Sequence, residues 1–384
     1  MTGKRYFHSA DNAKKGTPSP KLREASFVDY PQIVALQVAN GLETKTYEEW
    51  KHLWINNPAY TEFQASLPIG WVLEGEGKQI VGYLGNIPLF YELAGQRLLA
   101  SVAHSWAVNT RYRGYSLWLV DRYFSQKTVE LFLNATVGPA AAESFAVFES
   151  LPVPVGEWDH SAFWITHYQG FLASWLAMKA FPLARAFSYV LSVGPFLKDT
   201  LVKRQPSQRE SGVELERCIE LDGRFDVFWE ALRKANPHVL LAVRTRQVLE
   251  WHFRYALYND RAWIVTAGQD SVITAYGIFV RYDNPVVGLK RIRLVDFQAL
   301  DGNTALLAPM LCWALGRCRD EGIDMLESIG FRTDKKEVIY KSVPYKRKLP
   351  SWLYFYKTRD KSLAEMLSDP SVWDPSQFDG DASL

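Results

Sequence analysis

The stretch IVGYLGNIPLFYELAGQRLLASVAHSWAVNTRYRGYSLWLVDRYFSQK, from Ile80 to Lys127, decides the fold of this chain. Its apolar and β-branched residues predict one strand from Ile80 to Phe90 and a second from Leu98 to Val108, with a turn at Ala94-Gly95 between them. A helical pattern follows the second strand. The stretch therefore predicts a hairpin that leads through a loop into a helix.

The loop between the second strand and the helix is basic and contains one glycine. It reads Arg111-Tyr112-Arg113-Gly114-Tyr115-Ser116. The first N–H groups of a helix have no partner within the helix, so such a loop points several free N–H groups toward one place. This arrangement predicts a site for a phosphate or pyrophosphate, and a solvated turn is the alternative interpretation.

Length and composition predict two globular domains. A chain of 384 residues is too long for one ordinary core, and a hydrophobic content of 48% is enough for well-packed domains. The 44 basic and 42 acidic residues nearly cancel, so no nucleic-acid partner is expected. Cys218, Cys312 and Cys318 form neither a metal-binding motif nor an even set for disulfides, which predicts a cytoplasmic protein without a metal.

The chain contains an internal repeat. Glu49-Trp50, Trp54 and Asn57 recur as Glu250-Trp251, Tyr255 and Asn259, at an offset of about 201 residues. The predicted strands downstream recur in the same order, namely Trp71-Val72-Leu73 with Trp263-Ile264-Val265, Val81-Gly82-Tyr83 with Ala275-Tyr276-Gly277, Ser101 to Val108 with Arg291 to Ala299, and Leu131-Phe132-Leu133 with Met325-Leu326-Glu327. Both halves therefore follow the order β-α-α-β-β-β-α-β, which predicts two α/β (α+β) domains of common ancestry.

The repeat suggests a division of the chain into five parts. We expect a flexible leader at 1–21, a first domain at 22–197, a linker at 198–212, a second domain at 213–358 and an acidic, solvated tail at 359–384. The tail contains Trp373 and Phe378, either of which could anchor it.

The first half resembles the GCN5-related N-acetyltransferase (GNAT) superfamily. Val108-Asn109-Thr110-Arg111-Tyr112-Arg113-Gly114 is similar to the family's V-x-P-x-Y-R-G entry to the acyl-CoA loop. The resemblance extends to the preceding hairpin and to two helices predicted at Tyr30–Asn40 and Thr46–Asn56, and it implies tandem GNAT-like domains, each a mixed central sheet flanked by helices. It also implies that acetyl-CoA or another acyl-CoA is a co-substrate, bound by Val108, Arg111, Arg113, Gly114, Tyr115 and Ser116.

Three positions depart from the family pattern. The small residues that let the family's loop approach the pyrophosphate fall here on Ser116, which could also cap the helix at Leu117, and on Trp118. The family's general-acid tyrosine falls near Phe145, which cannot donate a proton. The second half has Asp301-Gly302-Asn303-Thr304 in place of the basic loop, so acyl-CoA binding is expected only in the first half.

Four residues are candidates for a catalytic role. The resemblance implies that His104 and Ser105, on the fourth strand, lie where the family relays a proton from the acceptor amine, although half of that strand's side chains face the core. Asn134 would face the gap where the family holds the acyl-pantetheine, or would be a turn residue. Asp296 is either paired with an arginine such as Arg293 or presented to a cleft.

An uncharged aromatic segment runs from Ser161 to Met178. Its polar residues argue against a membrane-spanning helix and leave two interpretations, an inter-domain core or an interfacial helix that makes peripheral membrane contact.

The resemblance predicts an N-acyltransferase that moves an acyl group from acyl-CoA to an amine held between the domains. The acceptor could be an amino sugar, a peptide or an amino acid. Two alternatives stay open, namely a Fem-type ligase that draws on aminoacyl-tRNA and a non-catalytic binding or scaffold protein on a GNAT-like framework.

Overall fold

The computed structural model describes residues 18–64, 66–181, 187–188, 191–202, 204, 214–269 and 271–384. The strands are β1 Lys21–Glu24, β2 Gly70–Glu74, β3 Ile80–Leu93, β4 Gln96–Val108, β5 Leu131–Val137, β6 Leu151–Pro152, β7 His160–Ile165, β8 Leu215–Cys218, β9 Leu241–Ala242, β10 Ala262–Gln269, β11 Val272–Arg281, β12 Arg291–Ala299, β13 Met325–Ile329, β14 Tyr345–Lys348 and β15 Leu353–Thr358. The helices are α1 Tyr30–Ala39, α2 Tyr47–Ile55, α3 Pro58–Phe63, α4 Ser116–Phe124, α5 Pro139–Val147, α6 Tyr168–Met178, α7 Val193–Val202, α8 Gly223–Ala235, α9 Arg246–Tyr258, α10 Leu307–Asp320, α11 Thr333–Lys341 and α12 Lys361–Leu367.

These strands form two mixed sheets that repeat one plan. The first sheet has the order β1-β2-β3-β4-β5-β15-β6, with β9 also paired to β3, and the second has the order β14-β7-β13-β12-β11-β10-β8. In each sheet a three-stranded antiparallel meander is joined through a helix to a parallel neighbour, β4 to β5 through α4 and β12 to β13 through α10. The predicted fold class and element order are confirmed.

The two sheets exchange strands. β7 precedes the second copy in sequence but pairs with β13 of the second sheet, and β15 follows the second copy but pairs with β5 of the first sheet. Hydrogen bonding between the strands therefore crosses the predicted boundary at 198–212 in both directions. Within that predicted linker, 198–202 belong to α7, and 203 and 205–213 lie outside the described residues, as does 1–17 of the predicted leader.

The two copies meet through the repeated helices α2 and α9. His52 Nε2 donates to the carbonyl oxygen of Trp251 at 2.8 Å, and Trp251 Nε1 donates to the carbonyl oxygen of His52 at 3.1 Å. These two hydrogen bonds join a residue of α2 to a residue of the repeated helix α9. The helices that the sequence repeat identifies therefore contact each other inside one chain.

The C-terminal segment is buried between the two copies, so the expectation of a solvated tail is wrong. Trp373 and Phe378 are 2% and 4% exposed, Trp373 Nε1 donates to the carbonyl oxygen of Leu367, and the Phe378 ring packs 4.5 Å from that of His252. Each buried acid of the segment has an ion-pair or hydrogen-bond partner. Asp374, for example, pairs with Lys335 at 2.8 Å. The segment is acidic in composition but not solvated, because its buried acids accept hydrogen bonds or pair with a lysine and its aromatic rings lie in the core.

Burial of Asp379 predicts a pH-dependent stability. Burial raises the pKa of this carboxyl to about 6, above the value of about 3.9 for an unfolded aspartate. Because the folded state holds the proton more tightly, the stability that protonated Asp379 contributes is complete below pH ~4 and is lost as pH rises through about 6.

Asp379→Asn removes this titration. Between pH 4.5 and 7.5 we expect wild type to lose about 2 kcal/mol of unfolding free energy relative to the variant. Urea unfolding of both proteins at the two pH values measures this difference in unfolding free energy. An equal change in wild type and variant would contradict the prediction.

The aromatic segment 161–178 divides into two structures. Its first residues form β7, in which Ser161, Ala162 and Trp164 are buried in the second sheet. Its remainder forms α6, in which Leu176 is buried whereas Trp175 and Met178 are exposed, so the core interpretation fits the strand but not the exposed side of the helix. Within the described ranges, no helix has the length and apolarity needed to cross a membrane.

Candidate functional site

A β-bulge in β4 shapes the candidate site. The register between β3 and β4 shifts so that Ser105 and Trp106 lie opposite the single residue Leu84, and Ser105 has a positive φ of 52°. A bulge leaves one residue without a ladder partner and turns the strand. Backbone polar groups are therefore presented at this point of β4.

β4 and β5 separate just before the bulge. Their parallel pairing ends at Val102 and Leu133, and beyond it the N–H of Ala103 donates to the side-chain oxygen of Asn134 at 3.2 Å. Asn134 is buried within β5 and is not a turn residue. Its Nδ2 atom is buried and has no hydrogen-bond partner among the described residues. The side chain thus occupies the apex of the gap between the strands.

A cavity of about 450 Å³ opens from this gap. Its walls come from the loop after α1, from the bulge of β4, from the end of β5, from α5 and from the last residues of the chain. The lining residues are Gln37, Leu42, Glu43, Thr44, Lys45, Trp50, Ala103, His104, Ser105, Trp106, Asn134, Thr136, Val137, Gly138, Ala141, Phe145, Asp381 and Leu384. The structure therefore brings together His104, Ser105 and Asn134, three of the four predicted catalytic candidates.

His104 faces an acid that comes from the far end of the chain. Its Nδ1 lies 3.7 Å from Oδ2 of Asp381, and it has no closer hydrogen-bond partner among the described residues. The other oxygen of Asp381 accepts from Oγ1 of Thr136 at 3.0 Å. Distances between catalytic groups are often this long before a substrate is bound. The carboxylate is therefore fixed by Thr136 and positioned to orient the imidazole.

The basic loop is more regular than the sequence predicts. Residues Thr110–Tyr115 form a 3-10 helix that continues into α4, and the N–H of Arg111 donates to the side-chain oxygen of Asn109 at 3.0 Å. The N–H of Tyr112 donates to the carbonyl oxygen of Asn109, and that of Ser116 donates to the carbonyl oxygen of Arg113. Several N–H groups that an open loop would leave free are therefore engaged, because the loop closes into a helical turn.

Three residues in the turn and at the start of α4 determine how closely a ligand can approach the backbone here. Ser116 is the first residue of α4 and does not cap it, since Tyr115 holds the cap position. Trp118 packs its ring edge-on against Tyr115 at 5.0 Å and does not line the cavity. A Cβ added at Gly114 would meet no protein atom within 4 Å. Room for close approach is therefore present at Gly114, beside the exposed side chain of Arg113.

Asp296 lies in the second sheet and outside the cavity. Its carboxylate is completely buried, pairs with Arg244 at 2.8 Å and accepts from the hydroxyls of Tyr276 and Ser376. Burial opposes ionisation, but the adjacent guanidinium outweighs it and holds the pKa of Asp296 below its usual value. The expected partner Arg293 pairs instead with Glu327.

The C-terminal segment fills the corresponding gap of the second sheet. Beyond the pairing of β12 with β13, which ends at Leu294 and Ser328, Gln377 Nε2 donates to the carbonyl oxygen of Leu294 at 3.3 Å. Ser376 donates to Asp296 beside it. The two gaps are therefore unequal, since only the gap of the first sheet opens into the cavity.

Sequence reasoning missed six polar residues of the cavity, four of which carry charge or bind a charged group. Asp381 and Thr136 are separated by 245 positions, and no local pattern indicates such a pair. Glu43 and Lys45 lie in the loop between α1 and α2, where charged residues ordinarily indicate solvent. Burial lowers the pKa of Lys45 below its usual value. The one sequence signal for this loop was its position directly before α2, which the internal repeat identifies.

The overall fold of the chain is also found in solved structures. The chain superposes on Saccharomyces cerevisiae N-myristoyltransferase with bound myristoyl-CoA at a TM-score of 0.57 and 11% identity, covering 91% of this chain and 81% of that one. The chain has the fold of two tandem GNAT-like domains. Two further solved structures share this fold. A GCN5-related N-acetyltransferase from Anabaena variabilis gives a TM-score of 0.53 at 13% identity, covering 88% and 73%, and a probable N-acyltransferase from Enterococcus faecalis gives 0.53 at 9%, covering 89% and 72%.

At these identities the likeness shows the GNAT fold alone. No protein-family model matches the chain, and no curated protein matches it. Among the described residues of this GNAT-fold chain, no group of three or more His, Cys, Asp or Glu side chains could hold a metal ion. What the site does is therefore argued from its own geometry.

Proposed function

We propose that the protein is an N-acyltransferase that transfers an acyl group from acyl-CoA to an amine, with its site between β4 and β5 of the first copy. The observation that carries the proposal is the gap between these strands, which opens beside the bulge at Ser105 and into the cavity. An open strand edge offers hydrogen-bond partners to an extended pantetheine, much as it would to another strand. The neighbours of the same fold, an acetyltransferase and a myristoyltransferase, support this function.

The residues present fit the acyl end of such a substrate. The N–H left without a ladder partner at the bulge would donate to the thioester oxygen as negative charge develops there. The acceptor nitrogen attacks the thioester carbon, a C–N bond forms, and the C–S bond breaks to release CoA as its thiolate. His104 takes the proton that the amine loses, and Asp381 orients the imidazole. Asn134 positions the β4 backbone at the apex of the gap.

The polar lining of the cavity favours a cationic amine as the acceptor. Glu43 and Asp381 contribute carboxylates to the lining, whereas an apolar wall is formed by Trp106 and Phe145, whose rings stack 5.9 Å apart. Carboxylates attract an ammonium group before it is deprotonated. An amino acid, a peptide amine and an amino sugar all meet this requirement.

Arg113 would contact the pyrophosphate of CoA, and this is tested by ligand-dependent stability. A ligand that binds only the folded state raises the melting temperature by mass action. We expect acetyl-CoA to raise the Tm of wild type in a saturable manner. Arg113→Ala should weaken acetyl-CoA binding by about tenfold, because it removes a charge-assisted contact to phosphate. Arg254→Ala, at an exposed arginine on α9, is the matched control and should behave as wild type.

The same titration separates the alternatives. Absence of acetyl-CoA binding at millimolar concentration contradicts the acyl-CoA proposal and leaves the scaffold and the Fem-type ligase. Binding of aminoacyl-tRNA without binding of acyl-CoA would favour the ligase, which requires a strongly basic cleft. The cavity carries Glu43 and Asp381 against Lys45, so its charges do not favour that alternative.

A further inference from the structure

Helices α6 and α7, together with the described residues between them, are here called the hairpin and carry a concentration of exposed apolar side chains. Of the 25 large apolar side chains that are exposed among the described residues, 10 lie between positions 175 and 202. These 10 residues, here termed the hairpin face, are Trp175, Met178, Phe181, Phe187, Leu191, Val193, Phe196, Leu197, Leu201 and Val202. A concentration of exposed apolar side chains of this size indicates an interaction site.

The apolar residues of α7 follow a helical period. Val193, Phe196, Leu197 and Leu201 recur at i, i+3, i+4 and i+8, which places them along one side of the helix. The helix is held to its neighbour α6 by the edge-on contact of Tyr168 with Phe196 at 5.6 Å. Even with this contact, Phe196 is 53% exposed and Leu201 is 83% exposed. The packing that fixes the hairpin therefore does not cover its apolar face.

The exposed charge of the hairpin is positive. Residues 161–202 contain one acidic residue, Asp199, and three basic residues, Lys179, Arg185 and Lys198. Asp199 is buried, accepts from the hydroxyls of Tyr168 and Tyr345, and pairs with Arg204 at 3.0 Å. Lys179 and Lys198 are exposed. Asp199 is therefore buried, and the exposed charges beside the apolar side chains are those of the two lysines.

We propose that the hairpin face docks on an anionic phospholipid surface. Aromatic and leucine side chains on one side of short helices, with lysines and without exposed acids, form the pattern of segments that lie in the membrane interface. Anionic headgroups attract such lysines. A second copy of the chain is a poorer occupant, because it would bring the same positive charges together. α6 and α7 have 11 and 10 residues, fewer than the about 20 that a crossing helix needs, so the docking is to the surface.

Vesicle flotation tests the proposal independently of acyl transfer. The full chain is floated with vesicles of phosphatidylcholine alone or with about 30 mol% phosphatidylserine. We expect wild type to bind the anionic vesicles at least tenfold more strongly and to release them as salt is raised. Phe196→Ser/Leu197→Ser should reduce binding by about tenfold or more, and Lys198→Glu should reduce binding to the anionic vesicles only.

A matched control uses two apolar residues that are exposed elsewhere. Val28→Ser/Val286→Ser changes side chains that are 86% and 91% exposed and should bind as wild type does. Thermal unfolding checks that every variant is folded. The proposal is overturned if wild type does not float with anionic vesicles, or if the Phe196/Leu197 variant floats as wild type does. The proposal is also overturned if wild type is a dimer and the Phe196/Leu197 variant is a monomer, because the hairpin face would then be a protein interface.

Discussion

His104→Ala is expected to lower kcat for acyl transfer by about 100-fold or more, while the Kd for acetyl-CoA changes by less than about threefold. The imidazole lines the cavity beside the bulge, where it can take the proton of the attacking amine, but it lies away from the basic turn that would contact the pyrophosphate. Loss of a general base therefore affects turnover and leaves donor binding intact. Single-turnover transfer and calorimetry with acetyl-CoA measure the two quantities.

Asp381→Asn distinguishes a positioning role for this residue from a structural one. The amide keeps the size of the side chain and can still accept from Thr136, but it no longer carries the charge that faces His104 at 3.7 Å. We expect kcat to fall by about tenfold, with the acidic limb of the pH–rate profile displaced, because a general base acts in its deprotonated form, and with the Tm unchanged. If His104→Ala leaves turnover as in wild type, neither residue belongs to the catalytic machinery. If Asp381→Asn lowers Tm and kcat together without altering the pH profile, its role is structural.

Arg244→Met is expected to produce the largest loss of stability, about 3–5 kcal/mol of unfolding free energy. Arg244 and Asp296 are 1% and 0% exposed, and removal of the guanidinium leaves a buried carboxylate without its counter-charge. Arg244 also donates to the carbonyl oxygen of Ala242 and lies 4.8 Å from the Phe378 ring, so it joins the second sheet to the buried C-terminal segment. Urea unfolding at pH 7 measures the effect.

Two controls separate the buried charge from the loss of a side chain. Arg224→Met makes the same change in a partly exposed ion pair with Glu216 and should cost less than about 1 kcal/mol. Arg244→Met/Asp296→Leu removes both buried charges and should recover most of the loss. Equal costs for Arg224→Met and Arg244→Met would contradict this account. Because the folded pKa of Asp296 is below its usual value, the stability that the pair contributes is present above pH ~4 and is lost as pH falls through that lower pKa.

The sequence predicted the local elements well because local patterns determine them. The hairpin of β3 and β4 and the strand at Arg291–Ala299 follow from apolar runs bounded by turn residues, and the repeat predicted the second copy. The predicted helices at 30–40 and 46–56 differ from α1 and α2 by one residue at their ends. Thr46 and Glu49 form the capping box that begins α2.

The candidate site was only partly predictable because distant segments complete it. His104, Ser105 and Asn134 lie on strands that the family resemblance identifies, whereas Asp381 reaches the cavity only through a tail whose acidic composition indicated solvent. The strand exchange of β7 and β15 was missed for the same reason, since pairing between sheets leaves no periodic signal in either segment. The partner of Asp296 is Arg244 and not Arg293, and the choice depends on side-chain direction across two elements.

A crystal structure with a non-reactive acyl-CoA analogue tests the central claim most directly. The account predicts one analogue per chain, with its acyl carbonyl oxygen about 3 Å from a backbone nitrogen at the Ser105–Trp106 bulge and its pyrophosphate beside Arg113 and Gly114. The acceptor side of the cavity, with His104 and Asp381, should lie across from that carbonyl. An analogue bound at the second sheet or away from the gap between β4 and β5, or no bound analogue at saturating concentration, would contradict the account.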